Sequence, residues 1–204
     1  MTAVIFDMGG VLIELGPVSE ILGDSASLAV DDFWSAWLHS ESVRAFESGK
    51  IEAAEFALGI IAEVGLKVEP AALLESFASW PKGLFPGAET LVADVGRVAV
   101  TGLLSNTNRL HWEGQRDAEI MRSLFDREYL SFMVGLVKPD ADIFEYIVQD
   151  LDRPADEILF LDDNQINVDG ARAVGLQAEL TLGPAEARAA VARHGLAVGG
   201  AESS

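Results

Sequence analysis

The stretch VIFDMGGVLIE, residues 4–14, decides how the rest of the chain is read. Val4, Ile5 and Phe6 close an apolar run that starts at Thr2, and its length suits a strand buried on both faces. The run stops at a carboxylate, Asp7. Gly9 and Gly10 follow, and glycine lets the backbone turn sharply while its carbonyls stay accessible. An acid after one strand is by itself most often a helix cap, so the reading depends on whether the pattern recurs.

It recurs twice clearly, with two weaker candidates. RVAVTGLL from Arg97 leads into Ser105 and Asn106; EILFL, ending at Leu161, leads into Asp162 and Asp163. GLQAELTL from Gly175 is a weaker strand, and EYLSF from Glu128 is a further candidate. Helical periodicity lies between them. The clearest case starts at Pro139, with Asp140 and Asp142 in the first turn and Ile143, Phe144, Ile147, Val148 and Leu151 on one face. Pro184 to Gly195 reads as a last helix, and FPGAET (Phe85–Thr90) as the start of another. Strands alternating with helices predict right-handed βαβ units. The expected fold is therefore α/β, a three-layer α/β/α sandwich around a parallel sheet.

Residues from about Val18 to Trp80 break this alternation. Phe33, Trp34, Trp37 and Leu38 stand at helical spacing, as do Ala54, Ala57, Leu58 and Ile61, with no convincing strand. The expected organisation is a core of residues 1–16 and 82–196, an all-helical insertion of residues 17–81, and a flexible tail of residues 197–204.

Composition narrows the function. The 204 residues hold no cysteine, which removes disulfides, thiolate metal sites and cysteine nucleophiles. Fourteen basic residues against 33 acidic ones give a net charge of −19, unsuited to a nucleic-acid backbone or an anionic membrane. No secretory signal or 18-residue apolar run is evident, so the expected location is cytoplasmic. Ten of the acids crowd into residues 140–170 beside one base, Arg153. Most of that run suits a solvated face, but an acid pair directly after a buried strand does not.

Ligands of open α/β sheets bind beyond the carboxyl ends of the strands. Asp7, Ser105, Asn106, Asp162 and Asp163 all fall at such ends, and Lys138 lies in a loop before a helix. The carboxylates would repel one another without a cation among them. Oxygen ligands without Cys or clustered His favour Mg²⁺.

This order and spacing resemble the haloacid dehalogenase (HAD) superfamily of aspartate-nucleophile hydrolases, from Val4 to about Leu182. LLSNTNRLH, LVKPDADIF and FLDDNQIN are most similar to bacterial phosphatases acting on sugar 1-phosphates. The resemblance implies a helical cap in the place of the insertion. It implies that Asp7 takes the phosphoryl group, that Ser105 and the Asn106 backbone bind its oxygens, and that Lys138 neutralises charge. It also implies Mg²⁺ held by Asp7, Asp163 and the Gly9 carbonyl, with Asp162 in the inner or outer shell. The expected partner is a small phosphorylated metabolite, such as a sugar phosphate, and the expected protein is a monomer or homodimer.

One departure matters. The family usually carries a second Asp two residues after the nucleophile, as proton donor and acceptor; here that position is Gly9. Three explanations compete: a phosphate ester with a good leaving group or its own proton donor, dehalogenation of a 2-haloacid, or a non-catalytic binding protein. The intact pair Asp162–Asp163 favours the phosphatase. His111 is a candidate replacement acid, with surface or helix-face packing as the more ordinary reading. His39 and His194 have no expected role. Trp34, Trp37 and Trp80 suit the core of the cap or its junction with the main domain. Arg44 or Lys50 could meet the far end of a substrate, Asn164 and Asn167 could order the loop after the acid pair, and Asp169 is either an outer carboxylate or a surface acid.

Overall fold

The computed structural model describes residues 1–22, 30–114 and 118–197. Five strands form one parallel sheet in the order β5-β4-β1-β6-β7. They are β1 (Ala3–Phe6), β4 (Val100–Ser105), β5 (Arg127–Leu130), β6 (Ile158–Asp162) and β7 (Gln177–Leu180). The candidate from Glu128 is thus a real edge strand, although Ser131 already begins a short helix, α9 (Ser131–Val134). Arg97 caps the preceding helix rather than opening β4.

Side chains alternate across a strand, so each buried strand feeds two cores. Val4, Phe6, Leu103, Leu159 and Leu161 pack on one face against α6 (Ala88–Gly96) and α12 (Gly183–Arg193), through Leu91, Val92, Val95, Ala187, Ala190 and Val191. Ala3, Ile5, Leu104, Ile158 and Phe160 pack on the other face. There they meet α10 (Ala141–Leu151) and α11 (Gln165–Ala173), through Ile143, Phe144, Ile147, Val168 and Ala171. These are the three layers expected. Full burial of one such aliphatic or aromatic side chain stabilises by about 1.5–3 kcal/mol.

The register of that sheet aligns the polar residues. Phe6 pairs with Leu103 on one side and Leu161 on the other. The next row therefore holds Asp7 and Asp162, and Ser105 comes one step beyond Leu104. All three leave the sheet at its carboxyl edge.

Between the two halves of the core lie α1 (Ser19–Leu22), α2 (Val30–His39), α3 (Glu41–Glu47), α4 (Ala53–Val64) and α5 (Pro70–Ala78). They share an apolar cluster of their own, built on Phe33, Trp37, Phe46, Phe56, Phe77 and Trp80. Phe46 stacks on Phe56 with ring centroids 4.5 Å apart. The side chains of Trp34 and the tail beyond residue 197 lie outside the described residues.

Both connections to this insert contain a strand that the periodicity did not reveal. β2 (Ile13–Leu15) pairs antiparallel with β3 (Pro81–Leu84), Ile13 opposite Leu84. Each is only three or four residues long and half-exposed, so neither carries an apolar run, and the partner is far away in sequence. Gly16 N–H donates to the Trp80 carbonyl at 2.9 Å, and Trp80 Nε1 donates to the Gly16 carbonyl at 2.5 Å. The chain thus leaves and re-enters the core through one two-stranded neck.

Candidate active site

Beyond the carboxyl edge of the sheet lies a cavity of about 460 Å³. Asp7, Gly9, Ser105, Asn106, Lys138 and Asp163 line its floor, and insert residues including Trp37, Leu38, Val43, Phe77 and Trp80 line the opposite wall.

Lys138 organises the floor. Its Nζ donates to Asp7 Oδ1 at 2.5 Å and to Asp162 Oδ2 at 2.6 Å, and stands 5.5 Å from the centre of the Phe160 ring. Burial alone would drive the ammonium towards its neutral form; Asp162 and Asp7 outweigh that and raise its pKa. Lys138 is therefore a permanent cation here. Its backbone is fixed by Asn106, whose Oδ1 accepts from Lys138 N–H at 2.9 Å and whose Nδ2 donates to the Lys138 carbonyl at 3.0 Å. The side chain of Asn106 thus holds the lysine loop, a duty that the spacing of the motifs did not suggest.

Asp162 is wholly buried and heavily engaged. Its Oδ1 accepts from Asn164 N–H at 2.8 Å and Asn167 Nδ2 at 3.0 Å; its Oδ2 accepts from Lys138 and from Asn167 Nδ2 at 3.2 Å. Asn164 also caps α11, accepting from Ile166 N–H at 3.0 Å. Asn164 orders the loop after the acid pair through this backbone bond, whereas Asn167 holds the Asp162 carboxylate itself.

Oxygens of Asp7, Asp162 and Asp163 all lie within 4.8 Å of one another. Burial, then the carboxylates of Asp162 and Asp163, raise the pKa of Asp7 despite Lys138. Burial and Asp162 push Asp163 up to about 6. Fully ionised, three carboxylates around one ammonium would leave two negative charges uncompensated, the charge of one divalent cation. The all-oxygen donor set fits Mg²⁺, with Asp7, Asp163 and cavity-lining Gly9 the residues that would hold it. Gly10 adopts φ +72°, and a Cβ there would overlap Asp163 Oδ2, so glycine is required for the acid to approach.

Other candidates separate clearly. Ser105 is buried at the end of β4 and lines the cavity. His111, on α7 (Arg109–Gly114), reaches the cavity, but its Nε2 lies 2.7 Å from the Phe77 carbonyl and burial lowers its pKa to about 4. It is neutral and occupied, which suits a joint better than a proton donor. Arg44 lines the cavity and pairs with Asp140 at 2.5 Å, whereas Lys50 is exposed and absent from the lining. His194 pairs with Glu179 at 2.7 Å and His39 is exposed at the end of α2. Asp169 is an exposed acid bound to Gln165 and Arg172.

One residue escaped the reading of the motifs. Glu47, the last residue of α3, lines the cavity from the insert side. Burial pushes its pKa up to about 7 against the pull of Lys138, Arg44 and the nearby Asn106 side chain. Its signal was local: Val43, Phe46 and Glu47 share the i, i+3, i+4 face of α3, whose first two members are buried.

The haloacid dehalogenase-like hydrolase family matches residues 1–175, and the chain belongs to that family of hydrolases. A sesquiterpene phosphatase from Aspergillus oryzae is 29% identical over 177 residues, 85% of this chain and 86% of its own length. A D-ribitol-5-phosphate phosphatase from Bacteroides thetaiotaomicron is 26% identical over 193 residues, 85% and 88% of the two chains. A HAD family enzyme from the same organism, solved with magnesium and inorganic phosphate, superimposes with a TM-score of 0.69 at 24% identity, covering 88% of this chain and 93% of its own. No helix among the described residues is long and apolar enough to cross a membrane.

Proposed function

We propose that the protein is a Mg²⁺-dependent phosphatase that hydrolyses a small phosphomonoester through an aspartyl phosphate on Asp7. The observation carrying this reading is the contact of Lys138 with both Asp7 and Asp162, beside a third carboxylate, Asp163. A phosphoryl transition state is loose and anionic, so its catalysis is chiefly positioning and charge compensation. Bound Mg²⁺ would supply the charge that lets a carboxylate approach a phosphate. Asp7 attacks phosphorus, Lys138 and Ser105 hold the non-transferring oxygens, and Asp162 fixes Lys138 from behind. Release of a halide needs none of this cation-binding apparatus.

The wall facing the floor suggests the alcohol. Leu15, Trp37, Leu38, Val43, Phe77 and Trp80 offer mostly carbon, which favours an ester with an apolar body. The sesquiterpene phosphatase among the relatives supports this choice. A sugar or polyol phosphate is the second reading, favoured by Asn108 and Arg44 in the same lining and by the ribitol-5-phosphate phosphatase. In either case the helical insert acts as the cap that excludes water while Asp7 is phosphorylated.

Phosphate release from terpenyl, sugar and aryl phosphates, with and without Mg²⁺, tests the reading. Turnover that depends on Mg²⁺ and disappears in Asp7→Asn is expected. Halide release from a 2-haloacid without any phosphatase activity would overturn it.

A further inference from the structure

Hydrolysis of an alkyl phosphate needs a proton on the departing oxygen, and later a base for the attacking water. Gly9 has no side chain to give either. The remaining groups around the cavity can be taken in turn. Asp7 is the nucleophile in the reading above, and Asp163 would hold the cation. Lys138 is shared between two carboxylates and keeps its protons. The Nε2 proton of His111 is held by the Phe77 carbonyl. Arg44 is a permanent cation bound to Asp140. Among the described residues lining the cavity, Glu47 is the one carboxyl that comes from the insert.

Its placement is fixed from several sides. Ser40 caps the start of α3 by accepting from Val43 N–H at 3.0 Å, and Phe46 stacks on Phe56. At the other end, Ser48 Oγ donates to the Arg44 carbonyl at 2.7 Å. The Arg44–Asp140 pair then ties α3 to the loop that carries Lys138. Glu47 lines the same cavity as Asn106 and Ser105, which stand together at the end of β4. Its carboxyl thus shares the cavity with the strand end where the phosphoryl group would sit.

The geometry points to Glu47 as the proton donor and acceptor of this hydrolysis, delivered by the insert to the site that Gly9 leaves bare. The inference rests on the phosphatase reading above. In the first step the Asp7 oxygen forms a bond to phosphorus and the ester P–O bond breaks; the proton of Glu47 goes to the departing oxygen and the alcohol leaves. In the second step a water oxygen forms a bond to phosphorus while the Asp7–phosphorus bond breaks. The water proton goes to Glu47, which regains its starting form as inorganic phosphate leaves.

The surroundings of Glu47 allow both states near neutral pH. Arg44 on its own helix and Lys138 and Asn106 from the core favour the carboxylate, and burial favours the acid. Packed against α3, α9 brings only Ser131, Phe132, Met133 and Val134. On α4, Glu63 is engaged with Ser40 and Ser42 at the opposite end of α3, and His39 of α2 is exposed.

The test compares an alkyl phosphate, whose leaving oxygen needs a proton, with p-nitrophenyl phosphate, whose leaving group does not. Glu47→Gln is expected to lose about 10²–10⁴-fold in kcat/KM on the alkyl ester. On the aryl ester it is expected to keep a rapid burst of nitrophenol and then stall as a phosphorylated enzyme. In the unaltered protein the alkyl-to-aryl ratio of kcat/KM should fall above about pH 7, and this readout needs no variant to fold. Equal losses on both esters, a change confined to KM, or a flat ratio across pH would each overturn the inference. Asp7→Asn separates the two levels: persistent turnover there defeats the phosphatase reading, whereas its loss beside a fully active Glu47→Gln defeats only the role of Glu47.

Discussion

His111 Nε2 donates to the carbonyl oxygen of Phe77 across 2.7 Å, joining α7 of the core to the last helix of the insert through a buried hydrogen bond. The ring of Phe77 also lies against the imidazole, with centroids 4.1 Å apart. Asn108 Nδ2 faces the other ring nitrogen at 3.4 Å, which fits a neutral imidazole that donates from Nε2 and accepts at Nδ1.

That arrangement predicts an acid-sensitive junction. Burial lowers the pKa of His111 to about 4, below the ordinary 6.5, so the folded protein favours the neutral ring. The contribution is complete above about pH 6.5 and is lost as pH falls towards 4. Linkage puts the full loss at up to about 3 kcal/mol. Urea unfolding at pH 7 and pH 5 should show a larger decline in the wild-type protein than in His111→Gln, which cannot take the proton. Equal declines would remove His111 from the explanation. At pH 7, His111→Ala should cost about 1–3 kcal/mol, because the Phe77 carbonyl loses its donor.

Removal of Lys138 should damage both stability and turnover. Its charge is buried between Asp7 and Asp162, and breaking a buried pair from one side costs about 3–5 kcal/mol. Lys138→Met should therefore unfold at much lower urea, and its kcat should fall by about 10²–10³-fold through lost oxyanion stabilisation. Added Mg²⁺ should restore part of the stability, because the cation then balances the carboxylates that the ammonium left behind. A variant of unchanged urea midpoint would show that solvent, not Lys138, balances those charges.

Asp163 should behave differently, since it is half-exposed and repelled by Asp162. Asp163→Asn removes that repulsion, so stability without metal should hold or rise slightly. The Mg²⁺ concentration for half-maximal activity should rise by at least the 10–100-fold typical of losing even an outer partner of a metal ligand, roughly speaking. Chelation of the wild-type enzyme should abolish turnover reversibly. Activity that survives a chelator would count against any resident cation.

These separations also show what the chain makes legible. Asp7, Ser105 and Asp163 could be found because each ends a buried apolar run, and register then brings such ends together. Lys138 could be found from its loop before a strongly patterned helix. Glu47 could not be assigned from FESG, because helix α3 meets the strand ends only through tertiary contacts such as Arg44–Asp140. The neck strands β2 and β3 failed for a related reason: their pairing joins residues on either side of the whole insert, and neither is apolar enough to announce itself.

Gly9 and Gly10 are adjacent, yet they should respond to substitution in opposite ways. Gly10 holds φ +72° against Asp163, so Gly10→Ala should cost about 1–2 kcal/mol in backbone strain and displace the acid. Gly9 is not in the left-handed region, and a Cβ there meets only the side chain of Leu15, nearest at 3.0 Å, which can give way. An aspartate can therefore be accommodated at Gly9, facing the same cavity as Glu47. If Glu47 handles the proton, Gly9→Asp should replace it: the double variant Glu47→Gln, Gly9→Asp is expected to regain at least about tenfold of the lost alkyl-phosphate turnover. A double variant that folds and binds Mg²⁺ normally but turns over no faster than Glu47→Gln would mean that the missing proton was never the defect.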